Sequence, residues 1–142
     1  APRVEWFRMS QISLIKEYVE EVYFNKPEQV YNELDWIYGQ KKEFFIAFYL
    51  NSKNKIIARE IISIGTLNTS LIHPRELFKG AILRSANSII LAHNHPSGSL
   101  EPSDEDISTT KKLINCGELL GIKILDHVIV SDKGFKSIMD VV

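Results

Sequence analysis

Two histidines at the end of one apolar segment constrain this chain more than any other feature. Residues 88–92 are almost all apolar, which is typical of a buried β-strand, and His93 and His95 follow them directly. Side chains two positions apart on a strand leave the same face, so both imidazoles can reach one point. The pattern therefore predicts a strand that ends in a pair of metal ligands.

Asp106 completes a set of three candidate ligands. It lies eleven residues after His95, beyond a tight turn at 96–98 and at the start of a predicted helix. Two imidazole nitrogens and one carboxylate leave a fourth tetrahedral position open, which distinguishes a catalytic zinc from a structural one. We therefore predict one Zn²⁺ per chain, held by His93, His95 and Asp106.

Each of these residues also has an ordinary structural interpretation. A single histidine near a strand end is usually a satisfied core or surface residue. Ser103 and Asp106 have the spacing of a capping box, and the first turn of a helix favours acidic residues in any case. The combination of H-x-H, seven residues and S-x-x-D favours a metal site over separate structural roles.

These motifs resemble the RadC-type branch of the JAB/MPN (JAMM) metalloproteins. The similarity runs from about residue 43 to residue 130, and more loosely from the N-terminus onward; it rests on residues 93–98, 102–106, 125–130, 64–68 and 73–78. Asn94 departs from the wider JAMM pattern, which often has Ser or Thr between the histidines, although the RadC-type branch tolerates Asn. We expect no helix-hairpin-helix region of the kind that longer relatives carry, which weakens any nucleic-acid role.

The resemblance implies an α/β fold in which helices flank a mixed central β-sheet, with JAB/MPN (cytidine-deaminase-like) architecture. It implies a single domain over residues 1–142, with residues 1–40 as an N-terminal extension. It also implies a zinc-dependent hydrolase that uses a metal-activated water to cleave a peptide or isopeptide amide bond. Ser103 would then stabilise the oxygen of the tetrahedral intermediate as well as cap its helix.

Several acidic residues compete for the role of catalytic base. Glu43 directly precedes an apolar strand, and the resemblance also places the catalytic glutamate at the head of a strand before the histidines. Glu76 is the main rival, although an acidic residue in the first turn of a helix is commonly a solvent-exposed residue with no catalytic role. We interpret Glu101 as solvated and Glu105 as a helix-terminal acid, so Glu43 is the predicted base.

Three further residues are of a type that can bind a metal or support its ligands. Asp126 and His127 lie on a strand that is expected to neighbour the histidine strand, where they could orient a ligand imidazole or form a purely structural pair. His73 precedes a proline at a helix start, and we assign it no metal role.

Hydrophobic periodicity predicts the remaining elements. Residues 4–24 are interpreted as extended strand. Further strands are predicted at 44–50, 55–64, 88–92, 122–130 and 134–139, the first two as a hairpin, and helices at 27–38, 74–86 and 103–120. The helix positions expected to face inward are Val30, Leu34, Ile37, Leu77, Phe78, Ala81, Ile82, Ile107, Thr110, Ile114 and Gly117, with Arg84 outward.

Composition excludes several classes of protein. The 142 residues carry a net charge of −1, which gives no broad attraction to nucleic acid or to anionic membranes. No apolar run reaches the length of a membrane span. The single cysteine, Cys116, excludes an internal disulfide and fits a small core position in a reducing cytosol, so we expect a cytoplasmic protein.

Two alternatives to the hydrolase stay open at this stage. One is a protein associated with DNA repair or nucleic acid that has no peptidase activity, although the near-neutral charge gives it little support. The other is a metal-free MPN-type scaffold, which is disfavoured because all three candidate ligands are present. The expected partner is therefore a protein or peptide substrate.

Overall fold

Strands and helices follow one another along most of this chain. The computed structural model describes residues 4–8, 14–18, 22–65 and 72–142, with side chains from residue 22 onward. In chain order the elements are β1 (Val4–Arg8), β2 (Leu14–Tyr18), α1 (Pro27–Asn32), β3 (Phe44–Leu50), β4 (Ile56–Ile64), α2 (Pro74–Leu83), β5 (Ser88–Asn94), α3 (Asp104–Leu120), β6 (Lys123–Ser131) and β7 (Gly134–Ser137).

The described strands form one mixed sheet in the order β1-β2-β4-β3-β5-β6-β7. Only β5 and β6 run parallel, joined by α3, and the other described neighbours are antiparallel. This arrangement confirms the predicted α/β fold with a mixed central sheet. Every residue of β5 is buried, since β3 and β6 flank it and helices cover both faces.

Strand β3 shows how the sequence fills both faces of the sheet. Its uninterrupted apolar run sends Phe45, Ala47 and Tyr49 into a core beneath α2 and α3, while the alternate residues enter a second core beneath α1. A strand that is covered on both sides needs such a run. The prediction of a doubly buried strand at 44–50 is confirmed.

The helix predicted at 27–38 is shorter than expected. It ends at Asn32 and is followed by a 3₁₀ turn, Asp35–Ile37, because the buried Arg59 guanidinium donates to the Glu33 carbonyl at 2.9 Å. That carbonyl is thereby diverted from the helical ladder. The apolar positions Val30, Leu34 and Ile37 are all buried as predicted, since a three-residue spacing suits a 3₁₀ turn.

Helix α2 also ends early, at Leu83 instead of residue 86. Ser85 adopts a left-handed φ of +52°, which stops the helix. Ile82, within α2, is 59% exposed because it lines an open apolar surface between α2 and α3 instead of the core, so its predicted burial is wrong. Arg84, predicted to face outward, is half-buried with its guanidinium 5.7 Å from the centre of the Tyr49 ring.

Helix α3 follows the predicted pattern closely. Thr110 and Gly117 are buried, whereas Ile107 and Ile114 are half-buried because Leu113, which the prediction passed over, occupies the centre of the core. Cys116 is half-buried against the same core. None of the helices in the described part of the chain is long and apolar enough to cross a membrane.

The N-terminal region contributes two strands where one extended segment was predicted. Strand β2 pairs with β4, so β4 is an interior strand. Residues 9–13 and 19–21 of the predicted segment, and residues 66–68 of one family-like motif, lie outside the described residues.

The close approach of α3 to the start of β6 requires a glycine at position 117. A Cβ built there would lie 2.3 Å from the Ile122 carbonyl oxygen, which belongs to the backbone and cannot swing away. We expect Gly117→Ala to lower the free energy of unfolding by about 2 to 3 kcal/mol, even though alanine favours helices. Urea unfolding of the variant measures this change.

Gly121→Ala is the matched control for this prediction. Gly121 has a left-handed φ of +72°, and a Cβ added there would meet no atom within 4 Å, so only backbone strain of about 1 kcal/mol is expected. Equal stability losses in the two variants would contradict the steric explanation for Gly117.

Candidate metal centre

The three predicted ligands converge at the end of β5. The two Nε2 atoms of His93 and His95 lie 3.0 Å apart. The carboxylate of Asp106, in the first turn of α3, places Oδ1 3.3 Å from His93 Nε2 and Oδ2 3.1 Å from His95 Nε2. His93, His95 and Asp106 therefore form a group that could hold a metal ion.

The spacing of the three ligand atoms fits a small tetrahedral ion. Ligand atoms about 2.0 to 2.1 Å from a zinc ion, separated by tetrahedral angles, lie about 3.3 Å from one another. The observed separations of 3.0 to 3.3 Å are close to this value. The group requires little movement to accept such an ion.

A chain of hydrogen bonds fixes the tautomer of His93. The Thr110 hydroxyl donates to the Asp106 carbonyl at 2.7 Å, so its oxygen accepts from Nδ1–H of His127, also at 2.7 Å. His127 Nε2 then accepts from Nδ1–H of His93 at 2.7 Å. Nε2 of His93 is left with a lone pair directed at the group, as a metal ligand requires.

The same assignment holds for His95 through a different partner. Its Nδ1 donates to the Ser99 carbonyl at 2.9 Å, which leaves Nε2 as the free nitrogen. Two nitrogen lone pairs and a carboxylate then face one another at about 3 Å, an arrangement that repels itself unless a positive charge lies between them. The chemistry of the donor set thus fits a cation.

Burial and neighbouring groups favour the protonation states that a metal needs at His93 and Asp106, but not at His95. Burial lowers the pKa of His93, and it holds the pKa of His127 well below its usual value. Burial of Asp106 acts to raise its pKa, but the two neighbouring imidazoles and the Ser103 N–H outweigh that effect and the pKa is lowered. Burial likewise opposes the charged form of His95, yet the adjacent carboxylate raises its pKa overall.

Ser103 and Asp106 form the predicted capping box. The Ser103 hydroxyl oxygen accepts from the Asp106 N–H at 3.0 Å, and Asp106 Oδ2 accepts from the Ser103 N–H at 2.9 Å. The structural and ligand interpretations of Asp106 therefore coexist. The cap anchors the carboxylate in the orientation that directs Oδ1 at His93.

Glu43 lies beside this group and is only 6% exposed. It is two residues before Phe45, whose ring stacks on the His93 imidazole, so strand alternation directs both side chains to the same face. Burial raises the pKa of Glu43 to about 7, with a smaller contribution from Asp106, while His95 acts to lower it. The rival Glu76 is exposed in the first turn of α2.

The other candidates occupy ordinary positions. Glu101 is exposed and forms an ion pair with Lys136 at 3.2 Å, and Glu105 is exposed in the first turn of α3. His73 is the N-cap residue of α2 and is exposed. His127 hydrogen-bonds the His93 imidazole at 2.7 Å, as an orienting role requires, whereas Asp126 accepts from the His127 backbone N–H and contacts no imidazole through the bonds described.

Comparison with known proteins identifies the family. A family model described as a RadC-like JAB domain matches residues 24–141. This chain belongs to that family. The JAB/MPN superfamily includes hydrolases.

Several UPF0758 proteins are similar to this RadC-like JAB domain. One from Desulforamulus reducens is 61% identical over 97 residues, which cover 68% of this chain and 43% of the relative. One from Caldanaerobacter subterraneus is 60% identical over 107 residues, covering 75% and 46%, respectively. One from Staphylococcus haemolyticus is 44% identical over 135 residues, covering 94% and 59%. The chain thus spans about half the length of these relatives.

The contribution of Thr110 to this JAB domain was missed from the sequence. Its burial was predicted from helical spacing alone, whereas its hydroxyl supports His127 and the Asp106 carbonyl. One signal was available, since Thr110 is four residues after Asp106 and residues at that spacing share one face of a helix.

Thr110→Val should weaken metal binding without unfolding the protein. Valine keeps the shape of threonine but cannot accept from His127, so the tautomer of the His93–His127 pair is no longer fixed. We expect the affinity for Zn²⁺ to fall about 10- to 100-fold, the usual effect of removing a residue that orients a ligand. Competition with a chromogenic chelator measures the affinity.

Thr109→Val is the control, because it makes the same change at the neighbouring buried position of α3. Its zinc affinity should stay within about twofold of the wild type, well below the loss expected at an orienting residue. Unchanged affinity in Thr110→Val would show that the hydrogen-bonded chain does not orient His93.

The raised pKa of Glu43 should be visible in the stability of the metal-free protein. Burial moves this pKa from 4.5 to about 7, so the native state retains a proton that the unfolded chain has already lost. The free energy of unfolding should therefore decrease as pH rises between these two values. Glu43→Gln removes this dependence and should be the more stable protein above pH 7, by about 1 to 2 kcal/mol after allowance for solvent screening.

Urea unfolding in the presence of a chelator, at about pH 5 and about pH 8, tests this prediction. The stability difference between Glu43→Gln and the wild type should be small at the lower pH and large at the higher pH. A difference that does not change with pH would contradict the proposed burial of the carboxyl group.

Proposed function

We propose that this domain is a zinc-dependent hydrolase that cleaves a peptide or isopeptide amide bond. One observation carries the proposal: a buried glutamate with a raised pKa lies beside three convergent residues that could hold a metal ion. A set of two histidines and one carboxylate with an open fourth position is typical of catalytic zinc sites. The hydrolases within the JAB/MPN superfamily support the same reaction class.

His93, His95 and Asp106 would hold the zinc ion. When bound at such a site, zinc makes water acidic enough to serve as a nucleophile near neutral pH and polarises the carbonyl group that is attacked. The capping box and the His127–Thr110 pair keep the three ligands in place before the ion arrives, which lowers the cost of ordering them.

Glu43 is the base in this proposal. Its carboxylate accepts a proton from the attacking water and later delivers that proton to the nitrogen of the leaving amine. A pKa near 7 suits both transfers, because the group is readily deprotonated and reprotonated at the working pH. The alternative base, Glu76, is exposed on α2 and has no comparable environment.

Ser103 is proposed to assist at the substrate carbonyl. Its oxygen accepts from the Asp106 N–H, so its hydroxyl proton remains available for a second partner. A donor at this position would stabilise the negative charge that develops on the carbonyl oxygen. Ser103 is exposed, whereas His93 is fully buried, so substrate would approach from the side of His95 and Ser103.

Metal content gives the first test. After dialysis, the wild type should retain about one zinc ion per chain, while His93→Ala and Asp106→Ala should retain almost none. His73→Ala, which changes an exposed histidine at the α2 N-cap, is the control and should keep the ion. Full zinc content in the two ligand variants would refute the ligand assignment.

Turnover gives the second test. A library of linear and lysine-branched peptides is incubated in water enriched in ¹⁸O, and mass spectrometry detects the label in new carboxyl groups. Glu43→Gln should retain zinc but lose about 10²- to 10⁴-fold in rate. Glu76→Gln is the control and should be unaffected; the reverse pattern would make Glu76 the base.

A further inference from the structure

The side chain of Asn94 is hydrogen-bonded on both sides of Glu43. Its Oδ1 accepts from the Phe44 N–H at 2.6 Å, and its Nδ2 donates to the Lys42 carbonyl at 3.0 Å. Asn94 is only 3% exposed, so water competes little for these two bonds. Both peptide groups that flank Glu43 are therefore held by one side chain.

This contact replaces the regular pairing of two strands. The ladder between β3 and β5 ends at the pair formed by Phe45 and His93. One residue further along β5, the side-chain amide of Asn94 takes the place of a peptide group. Its donor and acceptor bind backbone groups at the start of β3. The carbonyl of Glu43 is held from the opposite side, where it accepts from the Gly65 N–H at 3.0 Å.

We propose that Asn94 is a positioning residue that fixes Glu43 relative to the metal ligands. Strand alternation directs His93 and His95 to one face and Asn94 to the other, so three consecutive residues set both the ligands and the base. This inference rests on the proposed function of Glu43. It assigns the residue between the histidines a positioning role: among the described side chains, Asn94 holds both peptide groups that flank Glu43.

A purely structural role would have different consequences. If Asn94 only satisfied backbone groups at a strand end, its removal would lower stability and would affect turnover equally with or without Glu43. If it acts through Glu43, its effect on turnover should vanish once Glu43 no longer works as a base. A double-mutant cycle separates the two cases.

The kinetic experiment uses zinc-loaded protein and the labelled peptide assay described above. Asn94→Ala should lower kcat about 10- to 100-fold with KM and zinc content within about twofold, because small displacements of a catalytic group have effects of this size. Asn94→Ala should cost nothing further in the Glu43→Gln background. Asn94→Ser serves as a second, less disruptive variant, and a loss that persists in the Glu43→Gln background would overturn the proposal.

Asn87→Ala is the matched control. Asn87 is exposed and directly precedes β5, at the opposite end of the strand from Asn94. Its substitution should leave kcat, KM and zinc content unchanged.

Crystal structures of the wild type and Asn94→Ser test whether Asn94 fixes Glu43 without any measurement of turnover. The Glu43 carboxylate should move about 1 Å or more relative to the His93–His95–Asp106 group in the variant, a displacement large enough to impair catalysis. An unmoved carboxylate would overturn the proposal. Absence of zinc or of turnover in the wild type would instead refute the proposed function, and the position of Glu43 would still decide whether Asn94 fixes it.

Discussion

The hydrogen bonds that connect β5, β6 and α3 are the interaction on which the site depends. His93 on β5 donates to His127 on β6, His127 donates to Thr110 on α3, and Thr110 donates to the carbonyl of Asp106. The Asp106 carbonyl at the end of this series can only accept, so the direction of every bond is determined. The parallel pairing of β5 with β6 brings the first two residues together, and packing of α3 on the sheet supplies the rest.

Two successive turns of α3 contribute to the site in different ways. The first turn of the helix presents Asp106 to the histidines, and the capping box with Ser103 satisfies backbone groups that a helix start would otherwise expose. One turn later, Thr110 supports the histidine pair from behind. The candidate ligand carboxylate and its support therefore belong to one helix, and a site built on a helix is held more accurately than one on a loop.

The sequence was sufficient to predict the site residues whose positions follow from local spacing. The H-x-H pair on a strand and the S-x-x-D start of a helix each place their side chains through the periodicity of one element, and the structure places His93, His95 and Asp106 together as predicted. Glu43 could be selected because it stands at the head of a strand. Its burial, and with it the raised pKa, came only from the way β3 packs beside β5.

Features outside the periodic pattern explain why two helices end earlier than predicted. The helix at 27–38 was divided because Arg59 on β4, 26 residues beyond Glu33, takes that residue's carbonyl. Helix α2 stops before residue 86 because Ser85 adopts a left-handed conformation that no pattern indicated. In both cases a periodic apolar pattern described the tendency of a segment, whereas the end of the helix depended on a partner or a backbone conformation outside that pattern.

The sequence by itself determined which three residues form the candidate metal-binding group, the strand and helix that carry them, and the α/β class, because these depend on residue type and on periods of two or 3.6 residues. The tertiary structure alone decided that Thr110 completes the support of His93 and that Asn94 holds the peptide groups around Glu43. These contacts join residues 17 and 50 positions apart in the chain, respectively, and only the alignment of neighbouring elements brings such residues together.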